Sequence, residues 1–242
     1  MSDAAIQVGL LECDHVTDDL HTVAGDYSDM FKGFLSGATP RIELTTYDLV
    51  AGELPDDPNR HAAWMITGAR YSVFDDLPWI HGLLAFIRKA HHANVRMIGV
   101  CFGHQAIAHA LGGETKRSER GWGVGVHALD VVQSRSWMQP PQQHLRMIMS
   151  HQDQVVALPP GATVLGRSEH CDVAMFEVGD RMLGIQGHPE FSTKYAAAAL
   201  ETRLDLIPAE LVVAARATFS DQTDAAAASE WIARYLSQAP SG

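Results

Sequence analysis

The stretch Gly99-Val100-Cys101-Phe102-Gly103-His104-Gln105 decides the fold of this chain. An apolar run over residues 95–100 leads into it, and an alanine-rich segment over residues 106–111 follows it and ends at Gly112-Gly113. Such an order is typical of a buried strand that passes through a short turn into a helix, which stops at glycine. The stretch therefore predicts a strand, a sharp turn at Cys101 and a helix, as in an α/β fold.

The glycines on either side of Cys101 indicate a nucleophile. In a Gly-x-Cys-x-Gly frame the glycines allow a strained turn that holds the central side chain clear of the sheet. A helix N-terminus at this point stabilises a thiolate, and the amide of Phe102 would face an oxyanion formed on a substrate carbonyl. The competing interpretation is a buried core cysteine, because free cysteine is among the most buried residue types.

A second motif, Gly184-Ile185-Gln186-Gly187-His188-Pro189-Glu190-Phe191, supplies a base for such a thiol. In an extended segment, residues i and i+2 point the same way and lie about 6.5–7 Å apart, so Glu190 can turn back to the imidazole of His188. A thiol needs a base, and a base works best when a third group orients it. A structural role for His188 is the alternative, since the chain contains 13 histidines.

Together the two motifs resemble those of the class I (triad) glutamine amidotransferases. The likeness is greatest to stand-alone proteins similar to the glutaminase domain of GMP synthase, and it covers about residues 5–192. It implies an α/β fold in which a mostly parallel central sheet is flanked by helices in a flavodoxin-like arrangement. A small β excursion and C-terminal helical additions complete the expected architecture. The expected catalytic residues are Cys101, His188 and Glu190.

The resemblance also implies contacts with a substrate. Gly68 matches the position whose amide is the second oxyanion donor beside Phe102, and Gln105 matches a residue that contacts bound glutamine. Ser150, Gln152 and Asp153 match a segment that lines the glutamine pocket. The alternatives are an ordinary strand-ending turn at Gly68, a first-turn helix residue hydrogen-bonded to the backbone at Gln105, and a plain strand-to-loop transition at residues 150–153.

The loop at Gly68-Ala69-Arg70 departs from the Gly-Gly-Pro form that is common in the family. An amide turned away from the substrate carbonyl would remove one oxyanion donor, which costs on the order of 3–4 kcal/mol. We therefore expect weak glutaminase activity from the chain alone. Arg70 is expected to shape the entrance of the site.

Composition limits the classes of partner and substrate. With 18 Lys and Arg against 29 Asp and Glu, the formal charge of −11 and the lack of a basic stripe argue against a nucleic acid or an anionic membrane as partner. The three cysteines are not spaced in pairs, as they would be in a disulfide framework or a metal-binding motif. The N-terminus does not resemble a signal peptide, and no apolar run approaches the ~20 residues of a membrane-spanning helix. These observations favour a reduced, cytoplasmic setting. We expect no cofactor and no metal, since His15, Asp18 and His21 are explained by a solvated loop over residues 14–26.

The length of 242 residues favours one domain over residues 1–242, with a core at about 5–192 and a helical extension at 193–242. Helices are expected at residues 27–35, 77–92, 192–200, 209–218 and 224–236, and strands at residues 6–13, 41–49, 63–67, 121–126, 129–132, 145–150, 163–166, 173–176 and 182–186. No P-loop follows, so an ATP-using acceptor module is not expected on this chain.

Three functions fit these residues. The first is a glutaminase or amidotransferase subunit that forms a γ-glutamyl thioester on Cys101 and releases ammonia, with a possible synthetase partner that accepts it. The alternative is a γ-glutamyl peptidase or hydrolase that acts on γ-glutamyl peptides or amines through the same thioester. A non-catalytic binding or regulatory protein is the third, and the complete set of Cys101, His188 and Glu190 argues against it.

Overall fold

A large sheet with helices on its faces organises the computed structural model, which describes residues 5–238. The sheet strands are β1 (Ile6–Glu12), β2 (Ile42–Asp48), β3 (Ala63–Ile66), β4 (Arg96–Val100), β6 (Gly123–Val131), β7 (His144–His151), β9 (Ala162–Arg167), β10 (Met175–Val178) and β11 (Met182–Ile185). A separate two-stranded ribbon pairs β5 (Glu114–Arg117) with β8 (Asp153–Ala157). The helices are α1 (Asp18–Ala24), α2 (Tyr27–Leu35), α3 (Pro78–His92), α4 (Phe102–Ala110), α5 (Thr193–Glu201), α6 (Ala209–Thr218) and α7 (Ala225–Ser237), and a single 3-10 turn spans Pro58–Arg60.

The strand order is β2-β1-β3-β4-β11-β10-β9-β6-β7. The first five strands are parallel, and the remaining four continue the same sheet in antiparallel pairs. Strands β3 and β4 are buried along their whole length, as expected where helices cover both faces of a parallel sheet. The predicted α/β class with a mostly parallel central sheet and flanking helices is confirmed.

The β excursion differs in detail from the prediction. The strands predicted at residues 121–126 and 129–132 form one strand, β6, because residues 123–130 pair without interruption with β7. Both strands extend the central sheet. The segment that follows His151 is also more regular than the predicted loop, since β8 begins at Asp153 and pairs with β5.

The loop predicted over residues 14–26 contains helix α1. Asp18 and Asp19 lie in its first turn, where carboxylates interact favourably with the helix dipole. Its one buried side chain, Leu20, belongs to the same apolar cluster as Tyr195 and Ala199 of α5. A seven-residue polar helix with a single buried position has too weak a periodicity to be recognised from sequence.

The C-terminal helices begin and end within about two residues of the predicted bounds. Trp231, Ile232, Tyr235 and Leu236 of α7 are buried in the core cluster that contains Val8, Ile98 and Leu183 of the sheet. The indole nitrogen of Trp231 donates a hydrogen bond to the carbonyl oxygen of Pro140 (2.8 Å). Helix α7 is therefore part of the core, whereas a division of the chain near residue 192 stays a prediction.

The parallel arrangement sets the position of the functional site. The carboxyl ends of β1, β3, β4 and β11 meet at one edge of the sheet, which is where open α/β sheets bind ligands. The segments that follow these strands contain residues 13–16, 67–73, Cys101 and residues 186–191. Among residues 5–238, no helix has both the length and the apolar character needed to cross a membrane.

Trp231→Ala tests whether α7 stabilises the core. Trp231 is 2% exposed, and replacing a buried tryptophan by alanine costs about 3–5 kcal/mol of unfolding free energy. Val213→Ala on α6 is the control, because Val213 is 66% exposed and its truncation should change stability by no more than about 0.5 kcal/mol. Urea unfolding measures both, and equal midpoints would contradict the core role of α7.

Candidate active site

Cys101 occupies a strained turn between β4 and α4. Its backbone has φ 51° and ψ −101°, and within residues 5–238 Asn94 is the one other non-glycine residue with a positive φ. Conformations of this kind cost of order 1–3 kcal/mol and persist where surrounding contacts hold them. Here the amide of Cys101 donates to the carbonyl oxygen of Ile185 (2.8 Å), and its own carbonyl oxygen accepts from the amide of Gln105 (3.1 Å).

The two framing glycines are required by close packing. A Cβ on Gly99 would lie 2.2 Å from the backbone carbonyl carbon and oxygen of Gly103, and a Cβ on Gly103 would lie 2.7 Å from the carbonyl oxygen of Ile66. The first turn of α4 therefore touches both β4 and the end of β3. The strand, turn and helix lie where the sequence predicts them, and Cys101 is the residue at the turn.

His188 and Glu190 lie together in the segment after β11. The Nδ1 atom of His188 is 2.8 Å from Oε1 of Glu190, and both side chains are buried. The amide of His188 donates to the carbonyl oxygen of Ile148 in β7 (2.8 Å), and its ring stacks on Phe191 at a centroid distance of 4.0 Å. These contacts hold the imidazole in one orientation.

The charge state of His188 is set by opposing effects. Burial lowers its pKa, but the negative charges of a deprotonated Cys101 and of Glu190, with hydrogen bonds to both, raise the pKa to about 10. The imidazole therefore stays protonated through neutral pH while those charges are present. Burial raises the pKa of the other two thiols, Cys13 and Cys171, the latter to about 12. These two cysteines are consequently poor nucleophiles.

Gly68 lies against the same pair of side chains. A Cβ at this position would be 2.7 Å from Cε1 of His188 and 3.6 Å from Cβ of Cys101. Phe102 is the first residue of α4, so its amide lacks an intrahelical acceptor. In the part of the chain that the structure describes, neither the Gly68 amide nor the Phe102 amide donates a hydrogen bond to another residue.

A pocket of about 380 Å³ opens beside Cys101. Its lining includes Cys101 and all four predicted substrate contacts, Gln105, Ser150, Gln152 and Asp153, whereas His188, Glu190, Gly68 and Phe102 do not line it. Cys101 and Gln105 are buried, while Leu206 is 61% exposed, so the pocket runs from a buried end to an open mouth.

Some polar atoms of the predicted substrate contacts already form hydrogen bonds within the protein. The side-chain nitrogen of Gln105 donates to the backbone oxygen of Asp153 (2.8 Å) and to the side-chain oxygen of Gln186 (3.2 Å). The Asp153 carboxylate accepts a short hydrogen bond from the hydroxyl of Ser72. A backbone-bonded role for Gln105, one of the alternatives from the sequence, is therefore present in the structure. Its contact with a substrate stays a prediction.

Several pocket residues were not identified from the sequence. They are His151, Ser72, Arg117, Trp122, Arg203 and Leu206. Arg203 donates to the hydroxyl of Ser150 (2.7 Å) and forms no ion pair with a carboxylate in residues 5–238. Arg203 and Leu206 follow α5 in the C-terminal extension, and no local sequence pattern distinguishes them from other surface residues.

One group of side chains outside this pocket has the spacing of metal ligands. Within the described residues, donor atoms of Glu12, His15 and Asp26 all lie within 4.8 Å of one another. Each already has a partner, because Glu12 accepts from the amide of Ser28, and His15 contacts Asp26 (2.8 Å) and Asp48 (3.1 Å). The absence of a metal site stays a prediction from the sequence.

Gly99→Ala tests the packing at the turn. Because the new methyl group would overlap the backbone of Gly103, we expect a loss of about 1–3 kcal/mol of unfolding free energy or more. Gly33→Ala is the matched control, since Gly33 lies in α2 with open space around its Cβ position and alanine there should add up to about 1 kcal/mol. Similar urea midpoints for the two variants would refute the close contact.

Comparison with known proteins identifies the family of this chain. The family model "Glutamine amidotransferase class-I" matches residues 67–204, which is more than half of the chain. Gamma-glutamyl peptidase 3 of Arabidopsis thaliana is 33% identical over 187 residues, covering 73% of this chain and 74% of that protein. A GMP synthase of Neisseria meningitidis is 36% identical over 115 residues, covering 46% of this chain and 22% of that protein.

Solved structures show the same fold. A glutamine amidotransferase from Thermotoga maritima superposes with a TM-score of 0.73 at 19% identity, covering 97% of this chain and 100% of that one. A glutamine amidotransferase from Methylobacillus flagellatus gives a TM-score of 0.73 at 22% identity, covering 96% and 93%. From its family model and its relatives, the chain belongs to the class I glutamine amidotransferase family.

Proposed function

We propose that this protein hydrolyses the γ-amide bond of a γ-glutamyl compound through a thioester on Cys101. The observation that carries the proposal is the position of the Cys101 thiol, at a helix N-terminus, beside the buried His188–Glu190 pair and at the buried end of a pocket. A nucleophile, a base and a group that orients the base are the parts that acyl transfer needs.

The first half of the reaction forms the thioester. The thiolate of Cys101 attacks the γ-carbonyl carbon, and the negative charge on the carbonyl oxygen is stabilised by the amides of Phe102 and Gly68. As the tetrahedral intermediate collapses, the carbon–nitrogen bond breaks and His188 gives its proton to the departing ammonia or amine. The γ-glutamyl group remains bonded to sulfur.

The second half releases glutamate. Neutral His188 takes a proton from a water molecule, which attacks the thioester carbon, and the same two amides stabilise the second oxyanion. The carbon–sulfur bond then breaks, which regenerates the thiolate and the imidazolium. Glu190 forms no bond to substrate. Its role is to hold the Nδ1 proton of His188 and to stabilise the positive charge of the ring.

The favoured substrate is a γ-glutamyl peptide or amine. From the sequence alone free glutamine was the first expectation, but the pocket continues past Cys101 to Trp122 and the exposed Leu206, which leaves room for a larger leaving group. The guanidinium of Arg203, which donates to Ser150 and forms no ion pair with a carboxylate among residues 5–238, offers a site for a substrate carboxylate. Gamma-glutamyl peptidase 3 matches 73% of this chain, while the GMP synthase match spans 46%.

Glutamine hydrolysis with transfer of ammonia to a synthetase partner is the second candidate. It is supported by the local similarity to GMP synthase, whose other regions this chain does not match. In that case an ammonia-accepting partner would stimulate the reaction. A γ-glutamyl peptidase needs no such partner.

Hydrolysis assays on the purified protein test the proposal. We expect glutamate release from L-γ-glutamyl peptides and from L-γ-glutamyl-p-nitroanilide at a higher kcat/KM than from free glutamine. Cys101→Ala should abolish turnover, because it removes the atom that forms the acyl intermediate. A glutamine-analogue alkylator should add mass at Cys101.

Cys13→Ala and Cys171→Ala are the controls, and both should retain activity because these buried thiols have raised pKa values. Labelling mainly at either of them would contradict the assignment of Cys101. A kcat/KM that is higher for free glutamine and rises on adding a synthetase would favour amidotransfer. No cleavage of any γ-glutamyl compound would reject both candidates.

Glu190→Gln should change both the rate and its pH dependence. Glu190 raises the pKa of His188, so loss of its charge lowers that pKa, and the imidazolium loses its proton at a lower pH. We expect kcat to fall about 10²- to 10⁴-fold and the basic limb of the kcat/KM profile to move to lower pH. Glu43→Gln, an exposed change on β2, should leave the profile unaltered. An unshifted basic limb in folded Glu190→Gln would remove Glu190 from the mechanism.

A further inference from the structure

The loop that contains Gly68 is tied to the segment that follows β1. The hydroxyl of Thr67 accepts a hydrogen bond from the amide of Cys13 (2.9 Å) and donates one to the carbonyl oxygen of Gly68 (2.9 Å). The amide of Thr67 donates to the carbonyl oxygen of Leu11 (3.1 Å). These bonds fix the backbone just before Gly68 and the carbonyl group just after its Cα.

Asp14 fixes the next part of the same loop. Its carboxylate accepts the backbone amide of Arg70 (2.9 Å) and, at both oxygens, the Nε–H of the Arg70 side chain (3.0 and 2.8 Å). The Nη2 group of Arg70 reaches the carbonyl oxygen of His15 (2.7 Å). One carboxylate therefore holds both the main chain and the side chain of a single loop residue.

The ion pair of Asp14 and Arg70 holds the loop in place from its buried side. The Asp14 side chain is 6% exposed, while the Arg70 side chain is 51% exposed. A buried carboxylate that loses its partner is strongly destabilising, so Asp14 keeps Arg70 in place. Charge-assisted hydrogen bonds of this kind are roughly twice as strong as neutral ones. A proline at position 70 would have no amide hydrogen to donate to such a carboxylate.

We propose that Asp14 is a positioning residue for the oxyanion loop and that Arg70 is its partner. By holding Arg70 on one side while Thr67 is held on the other, the contact keeps Gly68 beside Cys101 and His188 before substrate binds. The inference rests on the proposed function, because a loop held in place matters only if an oxyanion forms there. Asp14 itself touches none of the reacting groups.

Asp14→Ala should lower the rate of carbonyl attack without weakening substrate binding. Removal of an oxyanion donor costs roughly 10²–10³ in kcat, and a loosened loop should cost part of that, about 10- to 100-fold, with KM within about twofold. The substrate is L-γ-glutamyl-p-nitroanilide. Alkylation of Cys101 by iodoacetamide should keep its wild-type rate, since that reaction forms no oxyanion. Asp14→Asn, whose amide oxygen can still accept from Arg70, should lie between Asp14→Ala and wild type.

Glu177→Gln is the matched control. Glu177 is another buried carboxylate, 10% exposed, that accepts from the Nε–H of an arginine, Arg135 (2.6 Å), and it does not line the pocket. The Glu177→Gln substitution should lower the midpoint of thermal unfolding while leaving kcat unchanged. A loss of kcat in Glu177→Gln equal to that in Asp14→Ala would show a general effect of stability and overturn the positioning role.

Amide hydrogen exchange separates this inference from the proposed function. Residues 67–73 should exchange faster in Asp14→Ala than in wild type, whether or not the protein cleaves a γ-glutamyl compound. Unchanged exchange of these residues in Asp14→Ala would overturn the role of Asp14. If the wild-type protein is active, a kcat of Asp14→Ala equal to that of wild type would overturn it as well. Wild-type protein that cleaves no γ-glutamyl compound would overturn the proposed function, while faster exchange would still support the anchor.

Discussion

The whole arrangement depends on the close approach of helix α4 to strands β3 and β4. Two glycines make that approach possible, because a Cβ at Gly99 or Gly103 would overlap backbone atoms. The tight turn forces Cys101 to a positive φ and places its side chain at the helix N-terminus. Conformational strain at one residue is thus balanced by the packing of the strands and helix around it.

The other parts of the site reach Cys101 through sheet topology. Strand β11 pairs with β4 in parallel, so the segment with His188 and Glu190 leaves the sheet beside the turn. The bond from the His188 amide to Ile148 then ties this segment to β7, at the far side of the pocket. In the same way, β1 and β3 are neighbours, and their following loops meet through Asp14 and Arg70.

Much of the fold could be anticipated because its patterns are local. The apolar runs of β1, β3 and β4 and the long amphipathic helices α3 and α7 lie close to the predicted bounds. Helix α1 was missed because one buried leucine in seven residues gives no periodic signal. The burial of α7 could not be read from its own residues, because it arises from contacts with distant parts of the chain, such as the hydrogen bond from the Tyr235 hydroxyl to the carbonyl oxygen of Met97.

The sequence by itself determined the strand–turn–helix at Cys101 and the proximity of His188 to Glu190. Both follow from steric rules and repeat distances that act within about ten residues. Only the tertiary structure decided what surrounds these groups. The contacts of Arg203 with Ser150, of Gln105 with Asp153 and of Asp14 with Arg70 join residues 48–56 positions apart. No local pattern encodes such pairs, because strand order in the sheet, rather than sequence spacing, determines which loops lie side by side.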